Sequence, residues 1–185
     1  MNNSTTVEAD PKGALSYLRA LKQNEVVHLE YHPDQYESDW FTRGTEEVQE
    51  RLGRPSLWSN PSPVGVGRDY ETLVNVNIGG NHQVIDDVSI REGVVTSMKT
   101  LDTDSFTYRT TNRIFNRGRD CVDAFETFRG VERKDGLVIP REELKGFNLE
   151  IAVRDTVSDE QKLELRRVQE YGKLNGVRVI IVEVA

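Results

Sequence analysis

Apolar and polar positions alternate along this chain in two rhythms, one helical and one of period two, and the rhythm assigns most of its elements. After Pro11, the residues Ala14, Leu15, Leu18 and Leu21 recur at helical spacing and predict a short helix. Residues 26–31 read as extended, and Pro33 stops them. A second helix is predicted from Thr45 to Leu52, with Thr45 near its N-cap and Gly53 as its stop. Prolines and glycines crowd residues 54–67, which reads as a loop or linker. Residues 70–76 form a short helix or turn, and Gly79-Gly80 breaks it. Residues 82–90 and 94–99 then predict two strands, joined through a turn at Arg91-Glu92-Gly93.

The second half is more strongly patterned. Ile114, Phe115, Gly118, Cys121, Val122, Phe125 and Phe128 follow a period near that of a helix, predicting an amphipathic helix across 111–129. Residues 137–139 suit a short edge strand, and 147–153 alternate as a strand with one buried face. Ser158 and Gln161 form the two arms of a capping box that opens a long helix to Lys173. Asn175-Gly176 ends that helix, and 177–184 is apolar enough for an interior strand. Strand, helix, strand implies a right-handed crossover between parallel neighbours. The fold class is therefore α/β or α+β, a mixed central sheet flanked by helices, with a boundary near residue 65. On this reading residues 1–65 are an N-terminal extension, linker or entry region able to pack on the core, and 66–185 form the principal domain. Residues 1–12 are polar and read as a disordered leader.

Composition narrows the classes. A chain of 185 residues can bury an ordinary core. The single cysteine, Cys121, excludes an intrachain disulfide framework and falls on the apolar face of the predicted helix, so it reads as an inert core thiol. No apolar run is long enough to span a bilayer, and the N-terminus lacks signal-peptide character. A net charge of -7 argues against a nonspecific nucleic-acid coat. The distribution tells a different story locally: Arg109, Arg113, Arg117 and Arg119 occur with no acid between them. Arg113 and Arg117 stand one helical turn apart and, with Arg109, could grip a phosphate backbone.

The candidate chemistry lies on the hairpin. Asp86 falls on the first predicted strand and Lys99 near the end of the second, so pairing brings them together. Period two puts Ser97 and Lys99 on one face, while Met98 offers its carbonyl. Asp87 points away from Asp86 on a regular strand and reads as a surface residue. A carboxylate that can hold a cation beside a lysine that can orient water suits phosphodiester hydrolysis. Taken alone, the same pattern fits a solvated surface hairpin. Gly65-Val66-Gly67 lacks the lysine of a phosphate loop and reads as a turn. His28 and His32 lie in a strand and lack the sequence between them that helical metal pairs carry. His82 lies near enough to Asp86 to approach the site.

The run Thr96-Ser97-Met98-Lys99-Thr100-Leu101-Asp102-Thr103, Asp86 upstream, and the ending Glu170-Tyr171-Gly172-Lys173-Leu174-Asn175-Gly176-Val177-Arg178-Val179 resemble the C-terminal nuclease toxins of bacterial contact-dependent growth inhibition (CDI) systems. These belong to the PD-(D/E)XK restriction-endonuclease-like superfamily, and the similarity runs from about Arg68 to the C-terminus. The resemblance implies a helix-borne glutamate, which falls best on Glu71 after Tyr70, a strand aspartate at Asp86, and the Ser97–Lys99 pair. Serine at 97 replaces the second acid of the wider superfamily, a feature these toxins share.

What the resemblance implies is a metal-dependent DNase toxin. Asp86 and Glu71 would hold a divalent ion, Zn2+ or Mg2+, and Ser97 would hydrogen-bond a ligand water or a phosphate oxygen. The toxin would be delivered as the C-terminal part of an effector, act on DNA in the target-cell cytoplasm and be neutralised by a cognate immunity protein. Alternatives are an RNase toxin of the same fold, cutting tRNA, and a catalytically silent nuclease-fold binding module. The family's upstream Val-Glu-Asn-Asn boundary motif is absent, which leaves the delivery system open.

Overall fold

The structure is a computed structural model that describes residues 39–78, 84–110, 112–132 and 138–185; these lie in the compact unit Ser38–Ala185. The helix expected after Pro11, the strand expected at 26–31, and His28, His32 and His82 lie outside the described residues. Along the chain run β1 (Trp40–Arg43), α1 (Thr45–Leu52), α2 (Pro63–Val74), β2 (Asp87–Ser89), β3 (Val94–Leu101), α3 (Arg113–Asp123), β4 (Gly130–Glu132), β5 (Val138–Pro140), β6 (Gly146–Arg154), α4 (Asp159–Leu174) and β7 (Val177–Val184).

The framework is a five-stranded sheet in the order β1-β7-β6-β3-β2. Strands β1, β7, β6 and β3 run parallel, and β2 joins β3 antiparallel. A mixed α/β sheet flanked by helices is thus the observed class. Strand β7 lies inside the sheet, as its apolar sequence requires, and it pairs in parallel with β6 across the α4 crossover. β4 and β5 form a separate two-stranded ribbon.

Period-two alternation splits each interior strand between two layers. Ala152, Val182 and Val184, with Met98 and Ile180 against them, meet Val48, Leu57, Trp58, Val66, Tyr70 and Leu73 from α1, α2 and the turn between them. On the opposite face α4 lies over β7, where Gln169 Nε2 donates to the Val179 carbonyl at 3.2 Å. Helix α3 packs on α4, with Phe115 edge-on to Tyr171 at 6.2 Å between ring centres. Residues Trp40–Arg43 belong to the same sheet, since β1 hydrogen-bonds along β7.

Several local expectations are corrected. The expected loop over 54–67 and the short helix or turn over 70–76 resolve into one twelve-residue helix, α2, that begins at Pro63. Ser62 caps it by accepting from Gly65 N, and proline at the first helical position has no amide to lose. Gly65-Val66-Gly67 is therefore helical rather than a turn. A Cβ on Gly65 would collide with the Asn60 side chain, so glycine there permits close packing. Thr45 is not the cap of α1; Gly44 holds that position without a side-chain bond, and Glu46 and Glu47 supply the favourable first-turn charge instead. The predicted 111–129 helix ends at Asp123 and tightens into a 3₁₀ turn, Ala124–Glu126. That tightening helps both Phe125 and Phe128 to reach Phe147, at 5.6 and 6.3 Å between ring centres. Among the described residues of the strand expected over 82–90, Asp87–Ser89 alone are regular strand.

Candidate functional site at the open edge of a strand

The site follows from where β2 stops. The pairing register runs Ser89↔Val94, Val88↔Val95 and Asp87↔Thr96, and Asp86 N donates to Thr96 O at 2.9 Å. Beyond that rung no strand among the described residues covers this edge of β3, and the Met98 amide and carbonyl take other partners. Side chains provide them. Asp86 Oδ2 accepts from Met98 N at 2.6 Å, and Lys99 Nζ donates to Met98 O at 2.8 Å. The same ammonium stands 3.5 Å from Asp86 Oδ2. Asp86 and Lys99 thus meet at the strand edge as the hairpin predicts, although Asp86 stands just ahead of β2 rather than within it.

Glu71 enters from α2. Its carboxyl is half-buried and is held above the ordinary range, first by desolvation and then by the charge of Asp86, with Lys99 and Arg68 pulling the other way. Two carboxylates and an ammonium therefore share one local field. The helix carrying Glu71 is keyed to the sheet by its neighbour: fully buried Tyr70 donates its hydroxyl to Glu150 Oε1 at 2.6 Å. Burial and the adjacent Glu150 push the Tyr70 hydroxyl far up its range, so it remains a proton donor. Glu150 is the register partner of Met98, which makes the Tyr70–Glu150 bond a strut from the helix to the strand beside the site. Sequence reasoning missed it; the signal available was an acid at position 150 in an otherwise largely apolar strand.

The other expected residues distribute unevenly. Ser97 lies two residues before Lys99 but is only 2% exposed, so little of it faces outward. Asp87 accepts from Asn77 N at 3.2 Å, and Asn77 bonds both the amide and the carbonyl of Val88, acting as an extra rung beside the edge strand. Cys121 is a buried free thiol whose pKa is raised by desolvation, against the opposing influence of Arg117 and Lys99. Inert core thiol is the consistent description.

That influence also locates the arginines. Arg117 lies one turn before Cys121 on α3, and Arg113 one turn before Arg117, so the stripe they define leads toward Lys99. Arg109 sits at the end of the 3₁₀ turn that precedes α3. Arg113 and Arg117 are exposed, and Arg109, Arg113 and Arg117 form no ion pair among the described residues. Arg119, in contrast, is 3.2 Å from Asp120. The N-terminus of α3 is itself occupied: Glu164 accepts from Asn112 N at 2.7 Å and Phe115 N at 3.0 Å.

Among the described residues no group of three or more His, Cys, Asp or Glu side chains could hold a metal. The donors on hand are the carboxylates of Asp86 and Glu71 and the Met98 carbonyl. This all-oxygen set fits a hard divalent cation that keeps several waters.

The family model for the CDI toxin restriction endonuclease-like domain matches residues 66–182. Among solved structures the chain is similar to the CdiA-CT/CdiI toxin and immunity complex from Yersinia pseudotuberculosis, at 24% identity and a TM-score of 0.52, covering 60% of this chain and 90% of that one. No curated protein matches.

Proposed function

Because the chain belongs to the family of CDI toxin restriction endonuclease-like domains, we propose that it is a metal-dependent nuclease toxin that hydrolyses phosphodiester bonds, with DNA as its substrate, in a competing bacterium. The observation that carries the reading is the meeting of Asp86 and Lys99 at the open edge of β3, 3.5 Å apart, with Glu71 in the same electrostatic field. Asp86 and Glu71 are the residues to hold the cation, and the Met98 carbonyl stands at the rim. A bound divalent ion supplies Lewis-acid stabilisation of the phosphate and lowers the pKa of water. The oxygen donors suit magnesium or manganese as readily as zinc.

Lys99 has the most direct task. Its ammonium is tethered by Met98 O, which fixes where its remaining protons point; from there it orients an attacking water and offsets charge on the pentacoordinate phosphorus. The Met98 amide orients Asp86 in turn. Ser97 backs Lys99 on the same strand face and contributes through any hydroxyl contact to a ligand water or phosphate oxygen. Arg109, Arg113 and Arg117 hold the nucleic-acid backbone leading to this point. The similar Yersinia protein was solved as a toxin and immunity complex; by that likeness this chain is carried at the C-terminal end of a cell-surface effector, acts in the target cytoplasm and is restrained in its producer by an immunity protein.

The test is incubation of the purified chain with plasmid DNA and with total RNA, each in the presence of magnesium, zinc or a chelator. Cleavage of DNA that the chelator suppresses is expected, and Asp86→Ala and Lys99→Ala should each abolish it without lowering the melting temperature appreciably. Cleavage of RNA alone moves the substrate to the ribonuclease alternative. Cleavage of neither polymer overturns the nuclease reading in favour of a silent binding module, and full activity in Lys99→Ala removes the lysine from the mechanism.

A further inference from the structure

Phe106 is 87% exposed, the most exposed of the large hydrophobic residues described. It begins the 3₁₀ turn Phe106–Arg109, in the connection that leaves β3 just after Lys99 and enters α3. This connection is tied down. Gln161 Nε2 donates to Thr103 O at 2.8 Å and to Tyr108 O at 3.2 Å, and Tyr108 N donates to Ser105 O at 3.1 Å. Tyr108 is half-buried and senses Arg117 and Cys121 on α3, so the turn sits against the arginine stripe. Among the described residues, nothing in the packing calls for a phenyl ring held out in water by a fixed turn.

Residues three apart eclipse on a 3₁₀ turn, so Phe106 and Arg109 stand on the same side. The ring therefore shares a side of the turn with Arg109, whose guanidinium has no carboxylate partner among the described residues. The nearby acids Asp102 and Asp104 are engaged by Arg154 Nε, at 2.5 and 3.5 Å. Arg113 and Arg117 continue the unpaired positive charge along α3, and the stripe ends at Cys121, within the electrostatic reach of Lys99. From Arg113 to Cys121 is eight residues of helix, about 12 Å, a span of a few nucleotides. An apolar ring beside a row of cations suits a ligand that presents a flat apolar face and a row of anions.

We propose that Phe106 is a stacking platform for an unpaired nucleobase, with Arg109 taking the adjoining phosphate, so that the chain engages strands with unstacked bases a few nucleotides from the site of cleavage. The proposal rests on the nuclease reading and adds a determinant of which nucleic acid is gripped. Base–aromatic stacking is tolerant of sequence, so the preference is for unpaired structure and not for a particular base.

The experiment measures binding of short labelled single-stranded oligodeoxyribonucleotides, oligoribonucleotides and the matching blunt duplex to the full chain in chelator, where nothing is cut. Phe106→Ala should weaken single-strand binding about 5- to 150-fold, the range that loss of one stacked base gives, with little effect on the duplex. Phe106→Trp should restore it, and Arg109→Gln should weaken it and lower the salt slope by about one counterion. The deoxyribose and ribose arms tell which strand the platform serves. Single-strand binding by Phe106→Ala equal to wild type overturns the proposal while plasmid cleavage by the same preparation keeps the nuclease reading. Failure of the wild type to bind or cut any nucleic acid overturns both.

Discussion

Asp86 serves two masters, and the geometry shows how. One carboxylate oxygen closes the open rung at Met98 N and stands 3.5 Å from Lys99; a cation would call on the same carboxylate. Glu71 supplies the contrast, since its raised carboxyl has no compensating hydrogen bond among the described residues and is disfavoured by burial and by Asp86. A carboxyl whose folded pKa lies above its unfolded value loses its proton first in the unfolded chain. Stability of the metal-free protein therefore falls as pH rises from the unfolded carboxylate range through the raised folded value, and stays reduced above it. Glu71→Gln should remove that fall, giving a melting temperature at neutral pH no lower than wild type in chelator while cleavage is lost. Thermal melts of both proteins across the acidic range check this; a clearly destabilised Glu71→Gln would show that Glu71 supports the fold rather than the site.

Helix α3 carries two demands on opposite faces. Inward, a Cβ on Gly118 would come within 2.5 Å of both Cγ atoms of Val168 on α4, so the two helices touch through the missing side chain. Gly118→Ala should cost on the order of 1–3 kcal/mol through overpacking, readable as a lower urea midpoint at unchanged m-value. Outward, the exposed Arg113 and Arg117 have no ion-pair partner among the described residues. Replacing both with glutamine should leave the fold intact, weaken DNA binding and flatten its salt dependence by about one to two counterions. An unaltered slope in a salt titration would return the pair to an ordinary solvated face. Helix α4 needs no such arrangement at its start: Ser158 and Gln161 close the capping box seen in the sequence, and removing the serine hydroxyl should cost about 1 kcal/mol.

At the scale of the whole molecule, no described strand continues along the edge of β3 that carries the proposed site, because β2 is only three residues long. An immunity protein of the proposed kind would therefore have to cover that strand edge, the arginine face of α3 or both. Coexpression with the adjacent downstream reading frame should be required for tolerance of the active chain, and the copurified complex should bury an interface on the order of 1,600 Å² or more. Equal tolerance without that neighbour, with nothing copurifying, would remove the self-intoxication logic.

Much of this architecture is local in origin and was legible from the residues. The capping box at Ser158, the alternation through 147–153, the apolar run of β7 and the hairpin that brings Asp86 to Lys99 all depend on contacts between near neighbours or on a single period. The mixed α/β class and the family resemblance rest on these elements. What the sequence rhythm misassigned depended on partners distant in the chain. Gly65-Val66-Gly67 reads as a turn until Val66, Tyr70 and Leu73 of the same helix pack on Ala152, Val182 and Val184 of the sheet. The 111–129 pattern runs on as a helix until Phe147 draws Phe125 and Phe128 into a tighter turn. Likewise the Tyr70–Glu150 strut spans eighty residues, and Glu164 caps α3 from another helix. Periodicity reports which face of an element is apolar, because that is fixed by backbone geometry. Which polar group meets which, and where a strand edge is left for an acid and a lysine to meet, is decided only when distant segments pack and buried donors must find acceptors.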